Sequence, residues 1–170
     1  KDTNLQSVAI STAAIINAEG TGPQLIEFLD HPVLYASSWS ALVKLDEKVL
    51  DDLEAAFHNH GADIRLQKRI ISVISAIGGE RSIQMLLDKM EYQQREVFHA
   101  VIRGLYENHF KASEIQVATI QNAILRMVNT GTWNLAAKIS IRTDDPGRSL
   151  AMAIEHEIWD VNEVIMMLMA

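Results

Sequence analysis

One spacing of apolar residues recurs along this chain and limits what it can fold into. Leu34, Ser38, Ala41, Leu42 and Leu45 stand at offsets 0, 4, 7, 8 and 11, and Leu66, Ile70, Val73, Ile74 and Ile77 repeat the pattern in full. Gln94, Phe98, Val101, Ile102 and Leu105 repeat it again with a polar opening. These offsets place the side chains on one face of an α-helix, because the helical period is close to 3.6 residues. The three starts are 32 and 28 residues apart. Each of the first two is followed by a second, shorter amphipathic segment, Val49, Leu50, Leu53 and Phe57 in one case and Ile83, Leu86, Leu87 and Met90 in the other. A unit of about 30 residues made of two helices is the grammar of an α-solenoid, in which a hairpin buries its apolar face only when a neighbour covers it.

The rest of the chain reads as helix too. The clearest segment runs from Ala62 to Ile77, with Arg65, Lys68, Arg69 and Ser72 opposite its apolar stripe, and Gly78-Gly79 ends it as residues tolerant of positive φ do. Pro32 suits the first turn of the helix that carries Leu34. Ser113-Glu114-Ile115-Gln116 reads as a capping box opening a helix with Val117, Ile124, Leu125 and Val128 on its apolar side. Asp145-Pro146 opens another, carrying Leu150, Ile154 and Ile158. Asp160-Val161-Asn162-Glu163 reads as a second box, starting a terminal helix with Val161, Val164, Ile165 and Leu168. Trp39, Trp133 and Trp159 each fall within an apolar helical pattern, which assigns them to core or inter-repeat packing. No sustained period-2 alternation marks a strand. The expectation is an all-α chain, one domain over residues 1–170, built as an α-solenoid of about ten helices. It starts without Met and stops on the apolar run Ile165 to Ala170, which reads as a piece of a longer protein.

The junction Ile74-Ser75-Ala76-Ile77-Gly78-Gly79-Glu80-Arg81-Ser82-Ile83-Gln84-Met85-Leu86-Leu87 resembles that of HEAT repeats, where an inner helix, a tight turn and the next outer helix follow one another. Asp30-His31-Pro32-Val33 resembles the turn before an inner helix, although Leu34 and Tyr35 stand where the family usually has Arg; Ala62-Asp63-Ile64-Arg65 is closer. The resemblance spans roughly residues 21–108 and implies stacked hairpins with inner helices lining a concave side. The stretch from Leu150 to Glu157, leading into Val164-Ile165-Met166-Met167-Leu168, is similar to the HEAT segment of some bacterial membrane proteins related to ADP/ATP translocases. That likeness implies a cytoplasmic module tethered to a membrane domain.

Composition narrows the function classes. Net charge is −7 and the pI near 5.3, which disfavours nucleic acid, since phosphate binding needs clustered Lys and Arg. The chain has no Cys, so disulfides, thiolate nucleophiles and thiolate metal sites are out of reach. No apolar run approaches the roughly 20 residues that span a bilayer. His58 and His60, two apart, diverge on a helix and cannot share an ion there. His156-Glu157-Ile158-Trp159-Asp160 has the one-turn spacing of the zinc-protease HExxH form but lacks its second His. There is no Gly-x-Ser-x-Gly elbow, and Gly20-Thr21-Gly22 lacks the Lys-Ser/Thr ending of a phosphate loop. Glu54, Asp51 and His58 read as exposed solubilising positions. No catalytic residue, metal or cofactor is therefore expected.

Two basic strips remain. Arg65, Lys68 and Arg69 share a face of one helix, and Arg95, His99 and Arg103 recur at four-residue intervals on the next inner helix. If both line a concave side, as the HEAT resemblance implies, they adjoin and can engage an acidic protein segment or a carboxylate. The same residues also read as a solvated face balanced by Glu91, Glu96 and Glu107. The leading expectation is a non-enzymatic protein-interaction or scaffold module, an accessory part of a larger bacterial protein. The alternative is a regulatory or ligand-sensing domain of a transporter-like protein, which would show a closed pocket instead of an open groove.

Overall fold

The computed structural model describes residues 3–15, 20–59, 63–92, 94–141 and 145–169. The segments are α1 (Thr3–Ile15), α2 (Gly22–Glu27), α3 (Tyr35–Leu45), α4 (Leu50–Asn59), α5 (Ile64–Ile77), α6 (Gly79–Asp88), α7 (Arg95–Glu107), α8 (Glu114–Ser140) and α9 (Asp145–Met169). Short 3-10 turns follow α2, α3 and α6. Among the described residues the chain is all-helical. Eight of the segments have ten residues or more and α2 has six, against the expected ten or so. Among the described residues, no helix is long and apolar enough to cross a membrane. Ala62, where the sequence pattern starts a helix, and His60 lie outside the described residues.

Contacts divide the chain into two compact units, Lys1–Asn108 and His109–Ala170. In the first, the recurrent spacing does what its period implies. Ser38, Ala41, Leu42 and Leu45 of α3, Leu66, Ile70, Val73 and Ile74 of α5, and Phe98, Val101, Ile102 and Leu105 of α7 are all buried. These helices pack in succession, α3 on α5 and α5 on α7, with α4 against α5 and α6 against both α5 and α7. Each fully buried aliphatic side chain contributes about 2 kcal/mol, so none of these short helices holds its shape without its neighbours.

The helix ends are set by specific groups. The Asp63 carboxylate accepts from the Leu66 amide at 3.0 Å, capping α5. Gly78, at φ 70°, turns the chain from α5 into α6. Pro32 lies in the turn before α3 instead of its first helical turn. There the His31 Nδ1 accepts from the amides of Val33 and Leu34, both at 3.2 Å, as a capping side chain would. At the other end of the unit, the Asn108 amide group donates to Ser75 O at 2.9 Å and to Gly104 O at 2.8 Å.

The second unit is a hairpin of two long helices. Its capping box forms as read: the Ser113 amide donates to Gln116 Oε1 at 2.9 Å. Three expectations need correction. The side of α8 read as buried is exposed at Val117, Leu125 and Val128, and α9 covers the side with Ala123 and Gly131, where a β-carbon on Gly131 would lie 3.3 Å from Val161. Small residues let the two helix axes approach more closely, so that side wins although it is less oily. Asp160 does not start a new helix, because nothing between Leu150 and Val164 breaks one, and α9 runs through it. Trp133 and Trp159 are 77% and 70% exposed instead of packed.

Candidate interaction site on the α5 face

Residues 65, 68, 69 and 72 fall on one side of α5 because they are three, four and seven apart, and the buried stripe on the opposite side fixes them outward. Arg65 reaches the last residue of the 3-10 turn Phe28–Asp30, with Nε 3.0 Å from Asp30 Oδ1 and Nη2 3.3 Å from Oδ2, a two-point fork on one carboxylate. Arg69 spans the same junction. Its Nη1 donates to the Leu29 carbonyl and lies 3.3 Å from Asp30 Oδ1, while its guanidinium sits 4.7 Å from the centre of the Tyr35 ring. Arg69 thus joins α3, α5 and the turn after α2. Lys68 is exposed and has no ion-pair partner among the described residues.

Tyr35, Ile64, Arg65, Lys68, Arg69, Ser72 and Glu96 line an open hollow of about 700 Å³. At its side, the Trp39 indole N–H donates to Ser72 Oγ at 3.1 Å, locking that hydroxyl. The hollow therefore offers an aromatic wall, two arginines held by Asp30 and one exposed ammonium. Such a surface suits a carboxylate seated beside an apolar group. The second strip does not join it. Arg95 and His99 are half-buried on α7 and Arg103 is exposed, and the α7 residue that lines the hollow is Glu96. The two strips lie on packed neighbours but only the first is gathered into one recess.

Reading Glu54 as a solubilising position missed an ion pair between its half-buried carboxylate and a buried lysine. Lys89 is 2% exposed, and its ammonium contacts Glu54 Oε2, accepts company from the Phe57 ring at 4.8 Å and donates to Met85 O at 3.4 Å. Glu54 also meets His58 Nε2 at 2.9 Å. Burial pushes the Glu54 carboxyl up, but hydrogen bonds and charge from Lys89 and then His58 outweigh it and leave the group below its ordinary value. The signal for this pair was present in the sequence only as a Lys at an otherwise apolar position beside Met90.

The other titratable constellations stay dispersed. His156 Nε2 lies 3.9 Å from Asp160 Oδ1 on an exposed face. Among the described residues no three His, Cys, Asp or Glu side chains converge as a metal site would need. No protein-family model, curated protein or solved structure matches the chain.

Proposed function

We propose that the first unit is a non-enzymatic protein-interaction module of the stacked-hairpin, HEAT-like kind, and that it takes an acidic peptide segment at the α5 hollow. The observation that carries this reading is the shared recess of Lys68, Arg65 and Tyr35. The packing of α3 on α5 and α5 on α7 supports the solenoid reading, since it gives each helix of that row the next as its cover. An open hollow also favours a peptide over a small ligand, which needs enclosure to bury most of its surface.

Arg65 and Arg69 already share Asp30, so they shape the recess, while Lys68 supplies charge that a partner can neutralise. The test is fluorescence anisotropy with labelled short peptides, one rich in Asp and Glu and one rich in Lys. Preferential binding of the acidic peptide, weakened by salt and reduced about tenfold by Lys68→Glu, is the expected result. Equal binding of the two peptides, or an affinity indifferent to Lys68→Glu, would sink it.

A further inference from the structure

The α5 hollow carries uncommitted charge of both signs. Tyr35 opens α3, Ile64 and Arg65 open α5, and Glu96 is the second residue of α7, so the recess lies where the first turns of three successive helices come together. Arg65 and Arg69 are held on the Asp30 carboxylate. Lys68 and Glu96 are both exposed, and among the described residues neither is ion-paired, with each other or with any other group. One cation on α5 and one carboxylate on α7 therefore share a single recess with nothing to neutralise them.

We propose that the hollow selects a segment of mixed charge, with an acidic residue set against Lys68 and a basic residue, two positions away along an extended chain, set against Glu96. This rests on reading the hollow as a peptide site, and it makes Glu96 the residue that decides which acidic segments are accepted. The spacing follows from the two helices. Packed neighbours lie about 8–10 Å apart, and side chains on one side of an extended segment recur about every 7 Å, so residues two apart can reach from α5 to α7.

Three features favour a mixed segment over a run of acidic residues. The recess and its braces hold Arg65, Lys68 and Arg69 against Asp30 and Glu96, an excess of a single positive charge, which suits one incoming carboxylate. A further acidic residue on the same side of the segment would face Glu96, and like charges brought together discriminate by repulsion. The chain as a whole carries a net charge of −7, which repels a polyanion on approach and does not repel a segment whose charges balance.

The test is fluorescence anisotropy with labelled peptides on the full chain, at about 0.15 M salt, where attraction beyond about 8 Å is screened. Each peptide has one central Glu flanked by Gly on both sides, then the same residue at both next positions, so that chain direction does not matter. That residue is Lys, Gln or Glu. The Lys form is expected to bind about fivefold tighter than the Glu form, with the Gln form between them. Glu96→Gln should bring the Lys and Glu forms within about twofold of each other, while Glu80→Gln, an exposed carboxylate of the same unit outside the hollow, should preserve the gap. Replacing the central Glu of the Lys form by Gln should abolish its binding. If the Glu form binds tightest and still needs Lys68, the hollow remains an acidic-segment site and the mixed-charge preference is overturned. A preference for the Lys form that Glu96→Gln leaves untouched overturns it as well. Binding of none of the peptides, or binding indifferent to Lys68→Glu, removes the peptide reading and this preference with it.

Discussion

Lys89 is sealed under the first unit with Glu54 as its counter-charge, so the two residues differ sharply in what each can lose. Removing the carboxylate strands an ammonium in an apolar setting; removing the ammonium leaves a carboxylate that still reaches water and His58. Glu54→Ala is therefore expected to cost about 3 kcal/mol in urea unfolding, and Lys89→Met about 1 kcal/mol or less. Equal losses in the two variants would show that the pair is not sealed as described.

The same pair sets an acid limit. The folded Glu54 carboxyl titrates below the 4.5 of the free group, so its contribution is fully present above that pH. It is lost as pH falls through the lower, folded value. The melting-temperature gap between the wild type and Glu54→Gln should hold from pH 7 to about 5 and shrink below pH 4.5. A gap that widens on acidification would contradict the direction assigned to this group.

Helices α5 and α7 meet where both are small. A β-carbon on Gly104 would sit 3.1 Å from Ser75 Cβ and 3.3 Å from Leu86 Cδ1. Gly104→Val is expected to destabilise the unit by about 2–3 kcal/mol through overpacking, visible as a lower denaturation midpoint with an unchanged slope. Near-neutral behaviour would mean that the two helices are free to separate at this point.

Arg69→Lys keeps the charge but loses the planar group that stacks on Tyr35 and reaches both Leu29 O and Asp30. A loss of about 1–2 kcal/mol is expected in thermal or chemical unfolding. Lys68→Glu on the same face should leave the midpoint within about 0.5 kcal/mol, since it alters an exposed position. If Lys68→Glu proved the more damaging of the two, the division between a structural and a recognition cation would be reversed.

Helices α3 to α7 were legible in the sequence because each has one apolar stripe, and one stripe has one destination; α1 has no such stripe, with Leu5 and Val8 exposed, and was not legible. The offsets shared by Leu34, Leu66 and Gln94 located α3, α5 and α7, and Gly78 marked a true turn. Helix α8 defeated the same reasoning because it has two apolar sides. Periodicity reports that a side is oily, while the closeness permitted by Ala123 and Gly131 decides which one the neighbour takes. Asp160 misled for a related reason: a residue that caps well also sits inside a helix when no breaker accompanies it. Of the candidate site, Arg65, Lys68 and Arg69 were readable as one face. Asp30, 35 residues before Arg65, was not readable as their shared acceptor, because nothing local links the two.

Asn108 holds α7 to α5 from the last position of its unit, with hydrogen bonds to the carbonyls of Ser75 and Gly104. Tension on the backbone at residue 109 would consequently be handed sideways into α5 before it could peel α7 away turn by turn. A processive unfolding machine that had already unravelled the second unit would meet the first at that side-chain amide.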